Sequence, residues 1–232
     1  MRSSDAASHR LDVPDGRRLR WTEHRAQRRG AFVAAGAEAI DRFGPAASAE
    51  QIAAIAGVSR TVLYRYFRDR EDLRQAIADQ VVRAVVDSVL PKLTLRPDAT
   101  PRQIIRPAVA VIVGWLDEHP NLYYFLRSRH AGASLDSVEG TLADNIARLL
   151  RTMLIIFGID AERAEPGAYG IVGFVESVGS WWLEHRTMSD DRLTDLITTG
   201  VWHLLEGTAR DFGIELGLDE PLPLGAAQRT KS

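Results

Sequence analysis

The chain has 232 residues and a mass of 25.7 kDa, with 45% hydrophobic and 26% charged residues, as in an ordinary globular protein. It contains no cysteine, which excludes disulfides, thiol catalysis and cysteine zinc sites, and its apolar runs are shorter than the roughly 20 residues of a membrane span. The net charge is −2, but residues 1–80 carry fourteen arginines against eleven acidic residues, an asymmetry that favours contact with a polyanion.

Apolar residues recur at three-and-four spacing along the whole chain and no strand pattern interrupts them, so we predict an all-α protein of about nine helices. A first segment, 1–21, is a basic arm expected to be disordered, and 219–232 is expected to be a flexible tail. Between them we predict a three-helix DNA-binding domain with a helix-turn-helix, 22–68, and a larger helical domain, 69–218. The predicted helices are 22–43, 48–56, 59–67, 69–90, 101–119, 121–129, 134–157, 161–185 and 189–212, with Thr22 as the N-cap of the first.

The stretch from Ser48 to Phe67 has the pattern of a helix-turn-helix. Ser48 can cap a short helix, and Gln51 stands three residues later, which is the spacing of a capping box. Gly57 occupies a turn that requires positive φ, a conformation that glycine adopts without strain. Ser59 can then cap a second short helix.

One face of that second helix is apolar and the other is suited to DNA. Leu63 and Phe67 share a face and are expected in the core, whereas Thr61 and Arg65 point outward. Arginine pairs with guanine in the major groove, and threonine or valine can contact a thymine methyl group. The predicted DNA contacts are Ser48, Ser59, Arg60, Thr61, Val62, Tyr64, Arg65, Tyr66 and Arg70. The alternative is that Tyr64 and Tyr66 are half-buried packing residues and the arginines are only solvated.

The stretch IAAIAGVSRTVLYRYFRDREDL resembles the DNA-binding segment of the TetR family of bacterial transcriptional repressors. The matching positions are Ile52-Ala53, Ala56 to Ser59, Leu63-Tyr64, Tyr66-Phe67 and Leu73. The chain departs from the family at Thr61-Val62, where glycine and threonine are usual, and at Arg70, where a lysine commonly begins the next helix. The resemblance implies a phosphate contact at Arg70, which arginine can also make.

The resemblance also implies a homodimer on a near-palindromic, double-stranded operator, with reading helices about 34–36 Å apart. Ser48 and Thr22, as helix N-termini, are expected phosphate contacts. The arginines of the arm either follow phosphates or belong to a flexible basic tail. In this family the last two helices pair with their copies, and the small or apolar residues on those helices form the expected interface: Gly170, Gly173, Ser177, Ser180, Leu196, Gly200 and Leu204. The alternative is that these residues pack only against other helices of the same chain.

The larger domain is expected, again by resemblance, to surround a ligand cavity. The helix 102–119 is apolar nearly all round and therefore central. The candidate lining residues are Trp115, His119, Tyr123, Tyr124, Phe174, Glu176, Val178 and Trp181, with Phe125 and Trp182 also considered; ordinary core packing is the alternative for the aromatic ones. Glu176 stands alone in an apolar run, so it needs a partner such as Arg127, Arg129 or Arg148, a ligand, or a solvated dimer edge.

The sequence therefore predicts a cytoplasmic, ligand-responsive repressor with no membrane partner, released from its operator by an apolar or amphipathic inducer of fatty acyl or drug-like type. Inducer binding would shift the fourth helix and spread the two reading helices. The alternatives are a helix-turn-helix protein without ligand control and an all-helical enzyme. No catalytic motif appears in the chain, and its histidines form no i,i+4 metal pair, so no cofactor, metal or catalytic residue is expected.

Overall fold

The computed structural model describes residues 16–96, 98–128, 134–211, 213 and 215–222; side chains are described from residue 23 and, in the helix that begins at 134, from residue 139. Within those ranges every regular element is helical, which confirms the predicted fold class. The α-helices are α1 Gly16–Phe43, α2 Ala49–Ile55, α3 Arg60–Leu63, α4 Arg70–Val89, α5 Pro101–Glu118, α6 Pro120–Arg127, α7 Ser134–Ile156, α8 Ala164–His185 and α9 Asp190–Arg210, with 3₁₀ turns at Leu90–Lys92 and Ala161–Arg163.

The first helix is longer than predicted. It begins at Gly16, so Thr22 lies inside α1 and is not its N-cap, and residues 16–20 are helical although we expected them in a disordered arm. Arginine and leucine are good helix formers, and no proline interrupts this stretch, so the helix extends backward through it. The rest of the arm, 1–15, and the end of the tail, 223–232, lie outside the described residues.

The helix-turn-helix has the predicted caps. Ser48 and Gln51 form the reciprocal capping box at the start of α2, and Ser59 caps α3 by accepting a hydrogen bond from the Val62 amide. Gly57 has φ +65°, as the turn requires. α3 ends earlier than predicted because the amides of Arg65 and Tyr66 bond to carbonyls three residues back, which tightens the chain into turns.

One hydrophobic core joins the N-terminal helices to the larger domain. Ile52 from α2 and Leu63 from α3 belong to the same buried cluster as Ile77 from α4 and Leu126 from α6. α1 and α4 approach closely at Gly36, where an added Cβ would lie 2.3 Å from Ile77 Cδ1. The N-terminal helices are therefore fixed on α4 by packing.

A second core fills the larger domain. α5 packs against α9 and α7 packs against α8. Val113 and Leu116 of α5 and Leu193 and Ile197 of α9 are buried together there. α5 continues through Pro107 as one helix, capped by a second capping box between Thr100 and Gln103. No helix in the described ranges is both long and apolar enough to cross a membrane.

We expect Gly36→Ala to destabilise the protein, because the new methyl group meets the fully buried Ile77 side chain and such overpacking costs about 1–3 kcal/mol. The matched control is Gly30→Ala in the same helix, where an added Cβ has no neighbour within 4 Å. That exchange should stabilise α1 by about 0.5–1 kcal/mol through helix propensity. Chemical denaturation of both variants checks the pair, and equal shifts in the same direction would contradict the close approach of α1 and α4.

Candidate functional site

The two faces of α3 lie as the sequence predicted. Leu63 is fully buried and Phe67, in the following turn, is 3% exposed, while Thr61 and Arg65 are exposed. Of the other predicted DNA contacts, Ser59, Arg60 and Arg70 are exposed, and Ser48, Val62, Tyr64 and Tyr66 are half-buried. The nine residues lie on α3, in the turn after it and at the starts of α2 and α4, and none of them is fully buried.

Tyr66 and Arg60 contact side chains of neighbouring helices. The Tyr66 ring packs edge-on against Phe32, with ring centroids 5.0 Å apart, so Tyr66 fixes the turn after α3 to α1. Arg60 Nη1 donates a hydrogen bond to Glu50 Oε1 at 2.7 Å, and its guanidinium lies 5.5 Å from the Tyr64 ring centroid. Backbone hydrogen bonding at the start of α2, the Ser48 hydroxyl and Arg60 all lower the pKa of Glu50. The surface therefore carries a permanent acidic residue beside its arginines.

Asp72 joins α1 to the turn that precedes α4. Its carboxylate accepts a hydrogen bond from the Arg68 amide at 2.9 Å and another from Arg29 Nη2 at 3.1 Å. The Arg68 amide and then the two arginine charges hold the pKa of Asp72 below its usual value, against the opposing effect of burial. The Arg29 guanidinium also lies 4.6 Å from the Phe67 ring centroid. This junction was not predicted from the sequence, although Asp69 and Asp72 have the spacing of a helix N-terminus.

The larger domain encloses a cavity of about 490 Å³, within the size range of small-molecule sites. Aliphatic side chains from α4, α5, α7, α8 and α9 form most of its wall. Its lining on α8 runs from Arg163, just before the helix, to Glu176, a distance of about 20 Å at the helical rise. The cavity is therefore at least as long as this stretch of α8. Along the first half of α8, the lining residues Gly167 and Gly170 are also exposed to solvent.

One end of the cavity is polar. Glu176 and Tyr123 are lining residues, and Tyr123 Oη donates a hydrogen bond to Glu176 Oε1 at 2.7 Å. Arg127 Nη1 lies 2.7 Å from Tyr123 Oη, 3.1 Å from Glu176 Oε1 and 2.7 Å from Ser180 Oγ. Burial raises the pKa of Tyr123, and the bond to the Tyr123 hydroxyl raises the pKa of Arg127. Of the partners considered for Glu176, Arg127 pairs with it and Arg148 bonds to Asn145 instead, while the Arg129 side chain lies outside the described residues.

The structure brings only part of the predicted ligand set to the cavity: Trp115, Tyr123 and Glu176 line it. The other five do not. Tyr124 is exposed, and Trp181 is exposed and stacks on His185. Val178 packs against the second core. His119 Nδ1 lies 2.9 Å from Asp41 Oδ2, and Phe174 occupies the space beside Gly200. The predicted set was mainly aromatic, whereas most of the wall is aliphatic.

The predicted interface residues are also divided between several environments. Gly173, Ser177 and Leu196 are exposed. Gly170 and Leu204 are exposed and also line the cavity. The remaining two make contacts within the chain, because Gly200 packs on Phe174 and Ser180 accepts a hydrogen bond from Arg127.

Contacts at two places, which the sequence did not reveal, connect the larger domain to the N-terminal helices. At the start of α6, Asn121 Nδ2 donates a hydrogen bond to the Asp41 carbonyl at 2.7 Å, beside the His119 contact with the Asp41 carboxylate. From α4, the buried Arg74 reaches the Pro45 carbonyl at 3.3 Å and Ser128 Oγ at 3.4 Å.

The Arg74 guanidinium lies 4.7 Å from the centroid of the Phe125 ring, and burial lowers its pKa. Its Nε has no hydrogen-bond partner among the described residues. A buried arginine in α4 has no sequence pattern that separates it from an exposed one. Among the described residues, no group of three or more His, Asp or Glu side chains could hold a metal ion.

Comparisons with known proteins agree with this architecture. Residues 32–77 match the family model described as bacterial regulatory proteins, tetR family. The chain is 33% identical over 215 residues to an uncharacterized HTH-type transcriptional regulator of Mycobacterium tuberculosis, an alignment that covers 90% of this chain and 91% of the relative. It is 28% identical over 187 residues to the HTH-type transcriptional activator FasR of Mycolicibacterium smegmatis, covering 77% of this chain and 83% of FasR.

Among solved structures, a tetR-family transcriptional regulator from Streptomyces coelicolor superposes with a TM-score of 0.64. The superposition covers 88% of each chain at 19% sequence identity, so it shows a shared fold.

We expect Asp72→Asn to lower the free energy of unfolding at neutral pH by about 1–2 kcal/mol, because the charge that holds Arg29 and Arg68 is lost. The lowered pKa means that the carboxylate stabilises the fold above its unfolded pKa, near 4, and that this contribution disappears as pH falls through the folded value. Denaturation as a function of pH should therefore show the variant and the native protein converging below about pH 4. Asp87→Asn, at an exposed position in the same helix, is the control and should match the native protein at every pH. A stability difference for Asp72→Asn that does not change with pH, or a pH-dependent difference for Asp87→Asn, would contradict the assigned role of Asp72.

Proposed function

Because the chain belongs to the TetR family of bacterial transcriptional regulators, we propose that it is a ligand-responsive repressor that leaves its operator when an elongated apolar molecule fills the cavity. Its DNA-binding helix-turn-helix makes it a transcriptional regulator and not an enzyme. In this proposal a homodimer binds a near-palindromic operator. The larger domain binds the ligand, and this binding releases the homodimer from the operator.

Exposure of Thr61 and Arg65 supports base recognition by α3. Arg65 has the reach and the paired donors to bond guanine O6 and N7, and Thr61 can contact a thymine methyl group. Arg70, at the exposed start of α4, is suited to a backbone phosphate. The Ser48 oxygen accepts the Gln51 amide, and the Ser48 hydrogen would have to turn from the Glu50 carboxylate to donate to a phosphate. Arg60 would have to exchange Glu50 for phosphate, which makes it a weaker contact.

Exposed apolar side chains on α8 and α9 support a dimer through these helices. Tyr169 and Trp181 are 55% and 44% exposed, and Gly173 and Ser177 lie between them at four-residue spacing on the same face of α8. On α9, Leu196 and Leu204 are 45% and 48% exposed. Apolar surface gathered on one face is typical of a protein interface, and the small residues between the aromatic ones permit close approach of a second helix.

The observation that carries ligand control is the position of α6 between the cavity and α1. Tyr123 and Leu126 of α6 line the cavity. At the start of the same helix, His119 and Asn121 contact Asp41 near the end of α1. α4 has the same double role, because Val85 and Val89 line the cavity while Leu73 in its first turn shares a buried core with Leu63 of α3. A ligand that fits only one arrangement of α4 and α6 would therefore change which positions of α3 are populated in the dimer.

The shape and chemistry of the cavity support a long apolar ligand. Burial of each methylene contributes about 0.8 kcal/mol, so an alkyl chain along an aliphatic wall gains affinity in proportion to its length. The length of about 20 Å favours a fatty acyl-type chain over a compact, drug-like ring system. Activation is a second candidate for the outcome of DNA binding, because the relative FasR is named as an activator.

We expect Arg65→Ala to relax sequence preference and Arg70→Ala to weaken binding to all DNA about equally. Loss of a bidentate guanine contact removes about 1–3 kcal/mol of discrimination, whereas loss of a phosphate contact acts on every sequence. Gel shifts on the region upstream of the protein's own gene, with and without competitor DNA, measure both effects. The same change in specificity from both variants would contradict the assignment of base and phosphate contacts.

We expect 1-dodecanol to weaken binding to that same DNA, because an alkyl chain in the cavity would displace α4 and α6. Ile112→Trp, which fills the cavity from α5, should abolish the response, and Ile155→Trp, at a 55% exposed position outside the lining, should retain it. Fluorescence anisotropy of labelled DNA checks both variants.

Binding of dodecanol without any change in DNA affinity would favour the alternative of a regulator without ligand control. Transcription in vitro from the upstream region then separates a repressor from an activator by the sign of the change when protein is added. A rise in transcript that dodecanol reverses would favour the activator.

A further inference from the structure

The polar cluster at the α6 end of the cavity lies where a long ligand would end. Glu176 is the last residue of α8 in the lining, and beside it Tyr123 comes from α6. Between this end and Arg163, at the other end of the α8 stripe, the α8 lining is Pro166, Gly167, Gly170, Ile171, Val172 and Val175, all without a polar side chain. A chain lying along that stripe would therefore bring one terminus to Glu176 and Tyr123.

The charges of this cluster already cancel. Arg127 and Glu176 form an ion pair at 3.1 Å, and the Glu176 side chain is only 22% exposed. Tyr123, which joins them, is 3% exposed. Any further charge placed against this pair would lack a counterion in a largely apolar site, and an uncompensated buried charge is strongly disfavoured. The cluster is therefore suited to an uncharged group.

The two residues of the cluster that line the cavity, Glu176 and Tyr123, leave an acceptor and no donor. Tyr123 has a single hydroxyl hydrogen, which it donates to Glu176 Oε1. Arg127 Nη1 also reaches Oε1. Glu176 Oε2 has no hydrogen-bond partner among the residues that the structure describes. A ligand that donates a hydrogen bond can be satisfied here, whereas one that only accepts finds no free donor on Glu176 or Tyr123.

We propose that Glu176 and Tyr123, held by Arg127, form a head-group site that selects long-chain ligands with an uncharged hydrogen-bond donor, such as a primary alcohol or amide, and rejects the corresponding carboxylates and amines. The inference rests on the proposed control by a long apolar ligand. It adds that the free fatty acid anion is not the effector. Arg127 acts here as a positioning residue, because it fixes the carboxylate and cancels its charge.

Calorimetric titration of the full chain with 1-dodecanol, dodecanoate and dodecylammonium at neutral pH tests this site with one chain length and three head groups. The alcohol should bind about tenfold or more tightly than either ion. Dodecanoate binding as tightly as dodecanol would overturn the proposal, since the cavity would then accept an anionic head group as readily as an uncharged one. Binding of none of the three would overturn the head-group site and, unlike that first result, the proposed ligand control as well.

Glu176→Gln provides a directional test, because it leaves Arg127 as an uncompensated cation with nearly the same shape around it. Dodecanoate should gain affinity relative to dodecanol by about tenfold, and dodecylammonium should lose affinity. Glu165→Gln is the matched control: Glu165 lies in the first turn of the same helix, outside the lining, and pairs with Arg151. Unchanged ratios in the Glu176 variant, or the same change in the Glu165 variant, would overturn the assignment.

Discussion

Burial of Leu63 and Phe67 is the constraint on which the DNA-reading surface depends. α3 has only four helical residues, too few to hold a helix by backbone hydrogen bonds alone, so its orientation comes from tertiary packing. With these two side chains in the core, the exposed face of α3 is fixed without further choice. Around them, Tyr66 packs on Phe32 and Asp72 accepts a hydrogen bond from Arg29. Together these contacts attach the reading unit, residues 48–67, to α1.

The same core continues from the reading unit to the cavity, which gives a physical basis for communication between them. α4 belongs to both, since Leu73 in its first turn shares a buried core with Leu63 and its last turns line the cavity. Arg74 adds polar contacts across this junction, from the Pro45 carbonyl to Ser128. Close-packed interiors have few voids and transmit displacement. A ligand in the cavity would therefore change the spacing of the two reading units of a dimer by moving α4 and α6.

The helix-turn-helix could be predicted in detail because its determinants are local: Ser48 and Ser59 at the caps and Gly57 at the turn act within a few residues. The cavity could not, because an aliphatic residue at helical spacing has the same pattern whether it faces a neighbouring side chain or an open space. Glu176 was found because a lone carboxylate in an apolar run needs a partner, but only the fold selects Arg127 among the candidate arginines. The contact of His119 with Asp41 joins residues 78 apart in sequence, and no local pattern predicts it.

Selection of bound duplexes from a random DNA library tests whether two copies of α3 recognise DNA together. We predict an enriched near-palindrome whose two half-sites are centred about 10 base pairs apart, because two copies of α3 would enter successive major grooves on one face of the duplex. Enrichment of a single, unpaired half-site, or of no sequence at all, would contradict it.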